Sequence, residues 1–446
     1  MEKKEAWRKA PILLVFLSFL ATAPVVDAQS ILRGGISLEQ GYDSNINREP
    51  EDEISEWTTT VSPSLGYIRQ ARRSSLSLRY VPSIVHSYET DDTRVDHYAS
   101  GEYHLQLTRN LQLDFTDTFV RTENPYSTRF EGRIAARDQE TVGEQGEIEL
   151  SDRRGRRKYW TNSFLAQAGY TYGQERLLEI GYRNQVLENR DDFYSDFVRH
   201  SPFANLSHRF NHQWATRLEY IFTKGDFDEP DFVTEAEDLT RHQANGYLYY
   251  QVTRFTRLIG HLGYSQTDYD EGSGDYDIYT AATGVEHRYS PNLDMGLEVG
   301  ISWVERENFS DEDAFFLRAG FEKRWQRTTW FLEGESGLEA REFSGVDDLG
   351  LSRYWSVDTG FTRTLMRNVE ARTTFFYRDD DFLDREIRDE EQYFEAAAGL
   401  AWSFAQWYEI YCRYIFVDQS SDIEADDYKD HRFFVGISAE KDLYQW

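Results

Sequence analysis

Apolar and polar side chains alternate along most of the chain, and residues 292–304 give the clearest example. Every second position of this segment is apolar: Leu293, Met295, Leu297, Val299, Ile301 and Trp303. The intervening positions are polar or glycine: Asp294, Gly296, Glu298, Gly300 and Ser302. A strict period of two predicts a β-strand with one apolar and one polar face.

The same template applied to the whole chain predicts twenty strands, with boundaries uncertain by about two to four residues. The predicted spans are 31–43, 55–70, 74–88, 94–108, 110–122, 159–172, 177–188, 196–209, 213–225, 239–253, 257–270, 276–289, 292–305, 313–325, 328–342, 351–364, 368–380, 390–404, 407–419 and 430–446. We interpret 123–158 as one long excursion. Two further strands in it would make about twenty-two, and two misread hairpins would leave about eighteen.

The predicted connections alternate between short basic turns and long acidic loops. Nine short turns carry nine arginines and a single acid, Glu175. Loop 225–238 carries seven acids and no base, and loop 418–430 carries six acids and one lysine. Barrels of the outer membrane have short periplasmic turns and longer extracellular loops. The pattern therefore predicts basic turns and both termini on the periplasmic side, and acidic loops outside.

Strands with one apolar face have to close if they cross a lipid bilayer, because hydrocarbon satisfies no backbone hydrogen bond at an open edge. The fold class predicted is all-β, a single closed antiparallel transmembrane barrel. Barrels of about sixteen or more strands leave an aqueous lumen. We therefore expect water, inward-folded loops or a partner inside the barrel.

The first 28 residues predict a cleaved signal peptide. Four basic side chains lie within the first nine residues, 11–26 are largely apolar, and Val26 and Ala28 place small side chains before the expected cleavage site. A membrane anchor is the alternative, but the apolar run is short for a bilayer core of about 30 Å. We expect cleavage after Ala28, which leaves 29–446 as one barrel domain.

Tryptophans lie close to the predicted strand ends, as expected for the aromatic girdles of a barrel. The girdle candidates are Trp214, Trp303, Trp325, Trp330, Trp355, Trp402 and Trp407. The last strand ends in Tyr444 and Trp446, the aromatic pattern that the barrel-assembly machinery reads in outer-membrane proteins. Its apolar phase slips near Lys441, which predicts a β-bulge.

Composition limits the chemistry. The net charge of −30 argues against nucleic acid as a partner, and the lone cysteine, Cys412, excludes an intramolecular disulfide. Mean hydropathy is −0.69, which is compatible with a barrel because strands present only alternate residues to lipid. We identify no catalytic, cofactor or metal-binding residues. His208 and His212 are four apart but flank a predicted turn.

Several segments resemble the type 2 β-barrel porin family, whose members are often encoded near exopolysaccharide genes. They are GYDSNI at 41–46, RRGRRKYWTNSFLAQAGYTYG at 153–173, LLEIGYRNQVLEN at 177–189, RHSPFANLSHRF at 199–210 and YDIYTAATGVEHRYSPN at 276–292. The resemblance covers most of the mature chain. It implies an outer-membrane barrel involved in polysaccharide export, with no catalytic residues to carry over.

Charged side chains on the polar phase are the candidates for a lumen lining. They are Glu179, Arg183, Arg217, Glu219, Glu286, Arg288, Glu298, Arg318, Glu322, Glu333, Glu335, Glu370, Arg372, Glu409 and Arg413. They either pair across strands to hold the wall together or tune which solutes pass.

Our first hypothesis is an outer-membrane channel for hydrophilic solute, including polysaccharide, with lipid and lipopolysaccharide around it and a periplasmic export partner below. The alternatives are a sleeve around a partner such as a multihaem cytochrome, and an outer-membrane hydrolase. The hydrolase is disfavoured because no nucleophile–base pair emerges from the sequence.

Overall fold

The computed structural model describes residues 28–124, 156–190, 194–228, 238–270, 274–306, 310–343, 350–383 and 390–446. Apart from Ala28, the predicted signal peptide lies outside these ranges, as does most of the excursion at 123–158. Within them, no helix has both the length and the apolar character needed to cross a membrane.

Twenty antiparallel strands make up the described fold, and each of the predicted strands is confirmed to within three residues at either end. In chain order, β1 to β20 are Gln29–Asp43, Glu56–Ala71, Ser74–Ser87, Asp92–Gln106, Leu111–Thr122, Tyr159–Gly173, Arg176–Asn189, Asp196–Arg209, Trp214–Asp228, Leu239–Thr253, Thr256–Tyr269, Tyr276–Ser290, Leu293–Arg306, Glu312–Arg324, Thr328–Ala340, Leu351–Met366, Val369–Phe382, Glu390–Phe404, Tyr408–Ser421 and Tyr428–Gln445. A short 3-10 helix, Glu424–Asp426, precedes β20.

Pairing between the first and last strands closes the sheet into a barrel. Each strand pairs with the next along the chain, and β1 pairs with β20. In that closing pair Leu32 faces Tyr444 and Arg33 faces Asp442, so Leu443 has no partner on β1. This bulge confirms the slip predicted near Lys441 and explains why the apolar phase of β20 changes there.

The two ends of the barrel differ in their connections. Short turns such as 72–73 and 254–255 lie at the end where β1 begins and β20 ends, because an even number of antiparallel strands returns the chain to its starting side. The long acidic loops lie at the other end. The barrel therefore has short periplasmic turns and longer extracellular loops, as the sequence predicts.

The outer surface of the wall is apolar. Side chains such as Ile180, Leu262 and Ile301 alternate with inward polar residues and are 55%, 69% and 45% exposed. Apolar exposure on this scale is stable in lipid and not in water. The buried apolar clusters are small and include residues near the extracellular strand ends, such as Tyr159, Leu187 and Phe197.

Candidate functional site

All fifteen predicted lining residues lie on the inward phase of their strands. On β9, for example, Arg217 and Glu219 alternate with Leu218 and Tyr220, which are 49% and 44% exposed on the outer surface. The chain alternates in this way because a strand points successive side chains to opposite faces. The polar phase of the sequence is therefore the wall of the lumen.

Ion pairs cover much of this inner wall. Two pairs join predicted residues of the same strand: Arg217 with Glu219 on β9, and Arg372 with Glu370 on β17 at 3.4 Å. Others pair between strands, and the partners are set by register. They are Arg318 with Glu335 at 3.5 Å, Arg257 with Glu286, and Arg288 with Asp294 at 2.7 Å. Among the rest, Arg324 pairs with Glu322, His261 lies 3.7 Å from Glu298, and Ser403 donates to Glu409.

Exposure of the inward charges changes along the barrel axis. From the middle of the barrel to its periplasmic end, the side chains of Arg318, Glu370 and Arg288 are 50%, 48% and 65% exposed. At the extracellular end, inward charges such as Arg241 and Glu342 are buried. Exposure is uneven below this level too, since the side chains of Glu219 and Glu298 are only 17% and 12% exposed. Water therefore reaches part of the inner wall from the periplasmic side, whereas Arg241 and Glu342 are enclosed by protein.

The extracellular filling comes from the hairpin of β15 and β16. Pairing of β15 with β14 stops at Ser336 and Leu317, whereas β15 remains paired with β16 up to Ala340. Beyond this point the hairpin leaves the wall, and its side chains pack against the inner face of β12 and β13. We call residues 337–343 and 350–353 the inward arm.

Glu342 anchors the inward arm to strands three to five places away from β15 around the barrel. Its carboxylate pairs with Arg241 of β10 and accepts hydrogen bonds from the hydroxyls of Tyr269 and Tyr276. Burial by itself raises the pKa of Glu342, but the guanidinium of Arg241 and the tyrosine hydroxyls outweigh it and hold that pKa below its usual value. The anchor is therefore ionised at neutral pH.

Phe343 reaches even further, into a pocket on β8 and β9. Its ring centroid lies 5.3 Å from that of Phe197 and 5.2 Å from that of Phe227. The guanidinium carbon of Arg199 lies 4.6 Å from the same ring centroid. A Cβ at Gly225 would lie 2.7 Å from the ring, so the pocket requires a glycine at that position.

A second set of contacts skips a strand and stabilises the closure of the barrel, by joining β19 to β1 across β20. Tyr411 of β19 donates a hydrogen bond of 2.8 Å to Glu39 of β1, and Arg413 lies 3.9 Å from the same carboxylate. Both side chains pass over β20, where a Cβ at Gly436 would lie 2.4 Å from the Tyr411 ring. Glycine in the intervening strand therefore allows β19 to contact β1 directly.

The predicted girdle tryptophans face outward at the two rims. Trp303 and Trp355 lie towards the extracellular end, 37% and 46% exposed. The others lie at the periplasmic end: Trp214, Trp325, Trp330, Trp402 and Trp407. Trp330 is the most covered, because its ring stacks on Phe361 at 5.5 Å.

Tyrosine–histidine pairs on the outer surface were not predicted from the sequence. In each pair, a tyrosine hydroxyl lies 2.6–2.9 Å from the Nδ1 atom of a histidine. The two residues lie on neighbouring strands in four pairs, whereas Tyr172 of β6 reaches across β7 to His208 of β8. The pairs are Tyr80–His97, Tyr172–His208, Tyr182–His200, Tyr220–His242 and Tyr414–His431. Only the register between strands brings these residues together, so spacing along the chain carries no signal for them. They extend the aromatic girdles with hydrogen-bonded polar groups.

In the described part of the chain, no group of three or more His, Cys, Asp or Glu side chains is arranged to hold a metal ion. Cys412 is a free cysteine. The described inner wall carries ion pairs, hydroxyls and aromatic rings.

Comparison with known proteins identifies solved structures of similar fold. No family model matches the chain, and no curated protein matches it. The siderophore receptor PirA of Pseudomonas aeruginosa is similar in structure, with a TM-score of 0.50 and 10% identity over 92% of this chain and 80% of that one. A mutant of the ferric enterobactin receptor PfeA from the same organism, in complex with enterobactin, gives a TM-score of 0.50, 8% identity and coverage of 92% and 81%.

The protein is an outer-membrane β-barrel. Its closed wall, its apolar outer surface and these likenesses agree on this point. P. aeruginosa OpdQ is also similar, at a TM-score of 0.43 and 11% identity over 93% of this barrel and 99% of that chain.

Proposed function

We propose that this barrel is a porin-like channel for hydrophilic solutes, narrowed at its extracellular mouth by the inward arm. The observation that supports it most directly is the contrast between exposed inward charges below the inward arm and buried ones beneath it. Arg318 and Glu370 are about half exposed, whereas Arg241 and Glu342 are buried beneath the arm. A wide polar vestibule that leads to a constriction is the architecture of a selective pore.

We propose polysaccharide as the class of solute that the channel passes. It is supported by the resemblance of the segments at 41–46, 153–173, 177–189, 199–210 and 276–292 to type 2 porins. Tyr247 and Tyr249 add inward rings that are nearly parallel, with centroids 6.2 Å apart. His261 stacks on Tyr247 at 4.3 Å and the guanidinium of Arg257 lies 4.3 Å from the Tyr249 ring centroid, so a sugar ring would have to stack on the opposite face of either tyrosine.

The inward arm weighs against the alternative of a sleeve. A partner that crosses the barrel would need the bore that Glu342 and Phe343 occupy, and both side chains are held by specific contacts. Co-purification of a haem protein with the barrel would favour the sleeve over the channel.

Planar-bilayer recording of the purified barrel tests the channel. We expect a small conductance for the natural protein and a larger one for Glu342→Ala/Phe343→Ala, because the double substitution removes both anchors of the arm. Gly320→Ala is the matched control, since a Cβ there meets nothing within 4 Å. A barrel that passes no current in either form contradicts the proposal.

Liposome swelling tests the solute. We expect neutral and uronate-bearing oligosaccharides to enter liposomes that contain the double variant faster than liposomes that contain the natural protein. If both forms admit salt but neither admits any oligosaccharide, the channel stands and the polysaccharide is excluded.

A further inference from the structure

One arginine of the inner wall has no carboxylate partner among the described residues. The other five arginines predicted to line the lumen each lie 3.9 Å or less from an acidic side chain: Arg217, Arg288, Arg318, Arg372 and Arg413. Arg183 of β7 makes no hydrogen bond or ion pair with any described residue, although it is only 8% exposed. A charge buried without an opposite charge is strongly destabilising, so the folded barrel on its own gives Arg183 nothing to pair with.

A second arginine adds to this positive charge. Arg199 of β8 pairs in register with Gln185, two residues beyond Arg183 on β7. Its Nε and Nη2 atoms both donate to one neutral acceptor, the Oε1 atom of Gln185. The charged groups next to Arg199 are Arg183 and the pair of Arg241 with Glu342, which is already neutral. The region therefore carries two positive charges without a matching negative charge in the described structure.

Gln185 contributes a further hydrogen-bond donor. It is 0% exposed, and its Nε2 atom has no hydrogen-bond partner in the described part of the chain. Because a guanidinium can only donate, Oε1 faces Arg199 and Nε2 is left to donate elsewhere. Gln185 and Arg183 are two residues apart on one strand, so both side chains lie on the inner face. We call Arg183, Gln185 and Arg199 the arginine patch. It lacks acceptors, and an oxyanion supplies them.

An aromatic ring adjoins the arginine patch on its periplasmic side. Phe203 of β8 pairs with Gly181, and a Cβ at Gly181 would lie 2.3 Å from the ring. The ring therefore lies over the glycine, against the inner wall. The guanidinium carbon of Arg183 lies 6.0 Å from its centroid. A guanidinium fork matches the geometry of a carboxylate, and an aromatic face beside it suits the apolar face of a sugar ring.

The arginine patch lies next to the constriction of the lumen. The guanidinium carbon of Arg199 is 4.6 Å from the ring centroid of Phe343 in the inward arm. Arg183 is one register row closer to the periplasmic end. A solute that crosses the lumen therefore meets the patch where the passage is narrowed.

We propose that the arginine patch binds the carboxylate of an acidic sugar, with the sugar ring against Phe203, and so selects uronate-bearing saccharides over neutral ones. The selection rests on the proposed channel, whereas binding requires no conduction. A uronate contributes both the negative charge that Arg183 and Arg199 lack and a ring for Phe203.

Calorimetric titration of the intact barrel in phospholipid nanodiscs tests binding without any current. The probes are trigalacturonate, neutral maltotriose and inorganic phosphate. We expect only trigalacturonate to bind the natural protein well, and Arg183→Gln to weaken this binding by about tenfold, as expected for a lost hydrogen bond to a charged group. Binding of maltotriose or phosphate as tight as that of trigalacturonate overturns the proposal, as does no binding of trigalacturonate.

Arg79→Gln is the matched control for charge. Arg79 of β3 also faces the lumen, but it lies 3.9 Å from Glu440 and its side chain is 56% exposed. The substitution removes the same charge from the inner wall, and we expect the affinity for trigalacturonate to stay within about twofold of the natural value. An equal loss in both variants would assign the binding to the overall field of the lumen and overturn the arginine patch.

Urea titration in lipid vesicles separates lost binding from lost structure. Arg183→Gln removes an unpaired buried charge, so we expect it not to lower the stability of the unliganded barrel. Trigalacturonate is expected to raise the urea midpoint of the natural protein and of Arg79→Gln but not of Arg183→Gln, because a ligand that binds only the folded state stabilises it. An equal rise in all three proteins contradicts the site.

Current recordings separate the site from the channel. We expect trigalacturonate to interrupt the current through the natural protein, and to do so about tenfold more weakly in Arg183→Gln. A barrel that binds trigalacturonate in calorimetry but passes no current contradicts the channel and leaves the site intact. A barrel that conducts salt while trigalacturonate affects neither its current nor its heat of titration overturns the site and leaves the channel.

Discussion

At the scale of single residues, glycines decide where side chains can reach past a neighbouring strand. Gly436 leaves the space through which Tyr411 contacts Glu39, and Gly225 leaves the space for the ring of Phe343. Neither glycine has a positive φ among the described residues, so the requirement is steric and not conformational. The close approach of an aromatic ring accounts for the glycine in each case.

Substitution at Gly436 tests this explanation. Gly436→Val forces Tyr411 aside and breaks its hydrogen bond to Glu39, so we expect the free energy of unfolding to fall by about 1–3 kcal/mol. Urea titration of the refolded barrel in lipid vesicles measures this loss. Gly320→Ala, where the added Cβ has open space, is expected to leave the stability unchanged. An equal loss in both variants would show that contact with Tyr411 is not the cause.

At the scale of elements, the β15–β16 hairpin exchanges wall pairing for contacts inside the barrel. The hairpin lacks pairing with β14 beyond Ser336, towards the extracellular end. In its place, Glu342 contacts Arg241 and Phe343 contacts Phe197. A buried ion pair that loses one partner leaves an uncompensated charge, which is strongly destabilising. Loss of Glu342 is therefore expected to destabilise the inward arm much more than loss of an exposed ion pair destabilises the wall.

Glu342→Gln is expected to release the arm without unfolding the barrel. Removing the carboxylate charge leaves Arg241 buried and unpaired, at a cost of about 3–5 kcal/mol. Hydrogen exchange of the backbone amides in 338–343 is expected to become faster, with no change in β3 or β4. Glu370→Gln is the control, because the exposed pair with Arg372 is worth only about 0.2–1 kcal/mol.

The contact of Glu342 that holds the inward arm also depends on pH. Because the pKa of Glu342 is lowered in the folded state, the carboxylate contributes stability above its unfolded pKa of about 4.3, and this contribution is lost as pH falls through the folded value. We expect amide protection factors in 338–343 to stay constant from neutral pH down to the unfolded pKa of Glu342. At lower pH, as this carboxylate becomes protonated, we expect them to fall. A fall already at neutral to mildly acidic pH would contradict this assignment.

At the scale of the whole molecule, charge and loop length orient the barrel. Basic turns lie at the end where β1 begins and β20 ends, and the acidic segments connect strands at the other end. The acidic connections therefore place negative charge on the extracellular side. Acidic loops of this kind keep the extracellular surface solvated.

Labelling of single cysteines on intact cells checks the orientation. In a Cys412→Ser background, Glu51→Cys in the β1–β2 loop is expected to react with a membrane-impermeant maleimide. Arg72→Cys in the β2–β3 turn is expected to react only after the outer membrane is permeabilised. Both native side chains are exposed, so access to the reagent is the only difference, and the reverse pattern would invert the barrel.

Much of the fold could be predicted from the sequence because the information is local. A period of two identifies a strand and assigns each side chain to lipid or lumen, as for Leu293 and Asp294. The slip near Lys441 even located the bulge, which the structure places at Leu443. The candidate site was predictable only as a lining, since register decides that Arg318 pairs with Glu335 and not with Glu322.

The sequence by itself determined the strands, their faces, their closure and their orientation, because each follows from hydrophobicity and charge at neighbouring positions. Only the tertiary structure decided what fills the lumen. The contacts of Glu342 with Arg241 and of Phe343 with Phe197 join residues more than 100 positions apart. No local pattern encodes such contacts, because a side chain that leaves the wall to cross the barrel has the same alternation as one that stays in it.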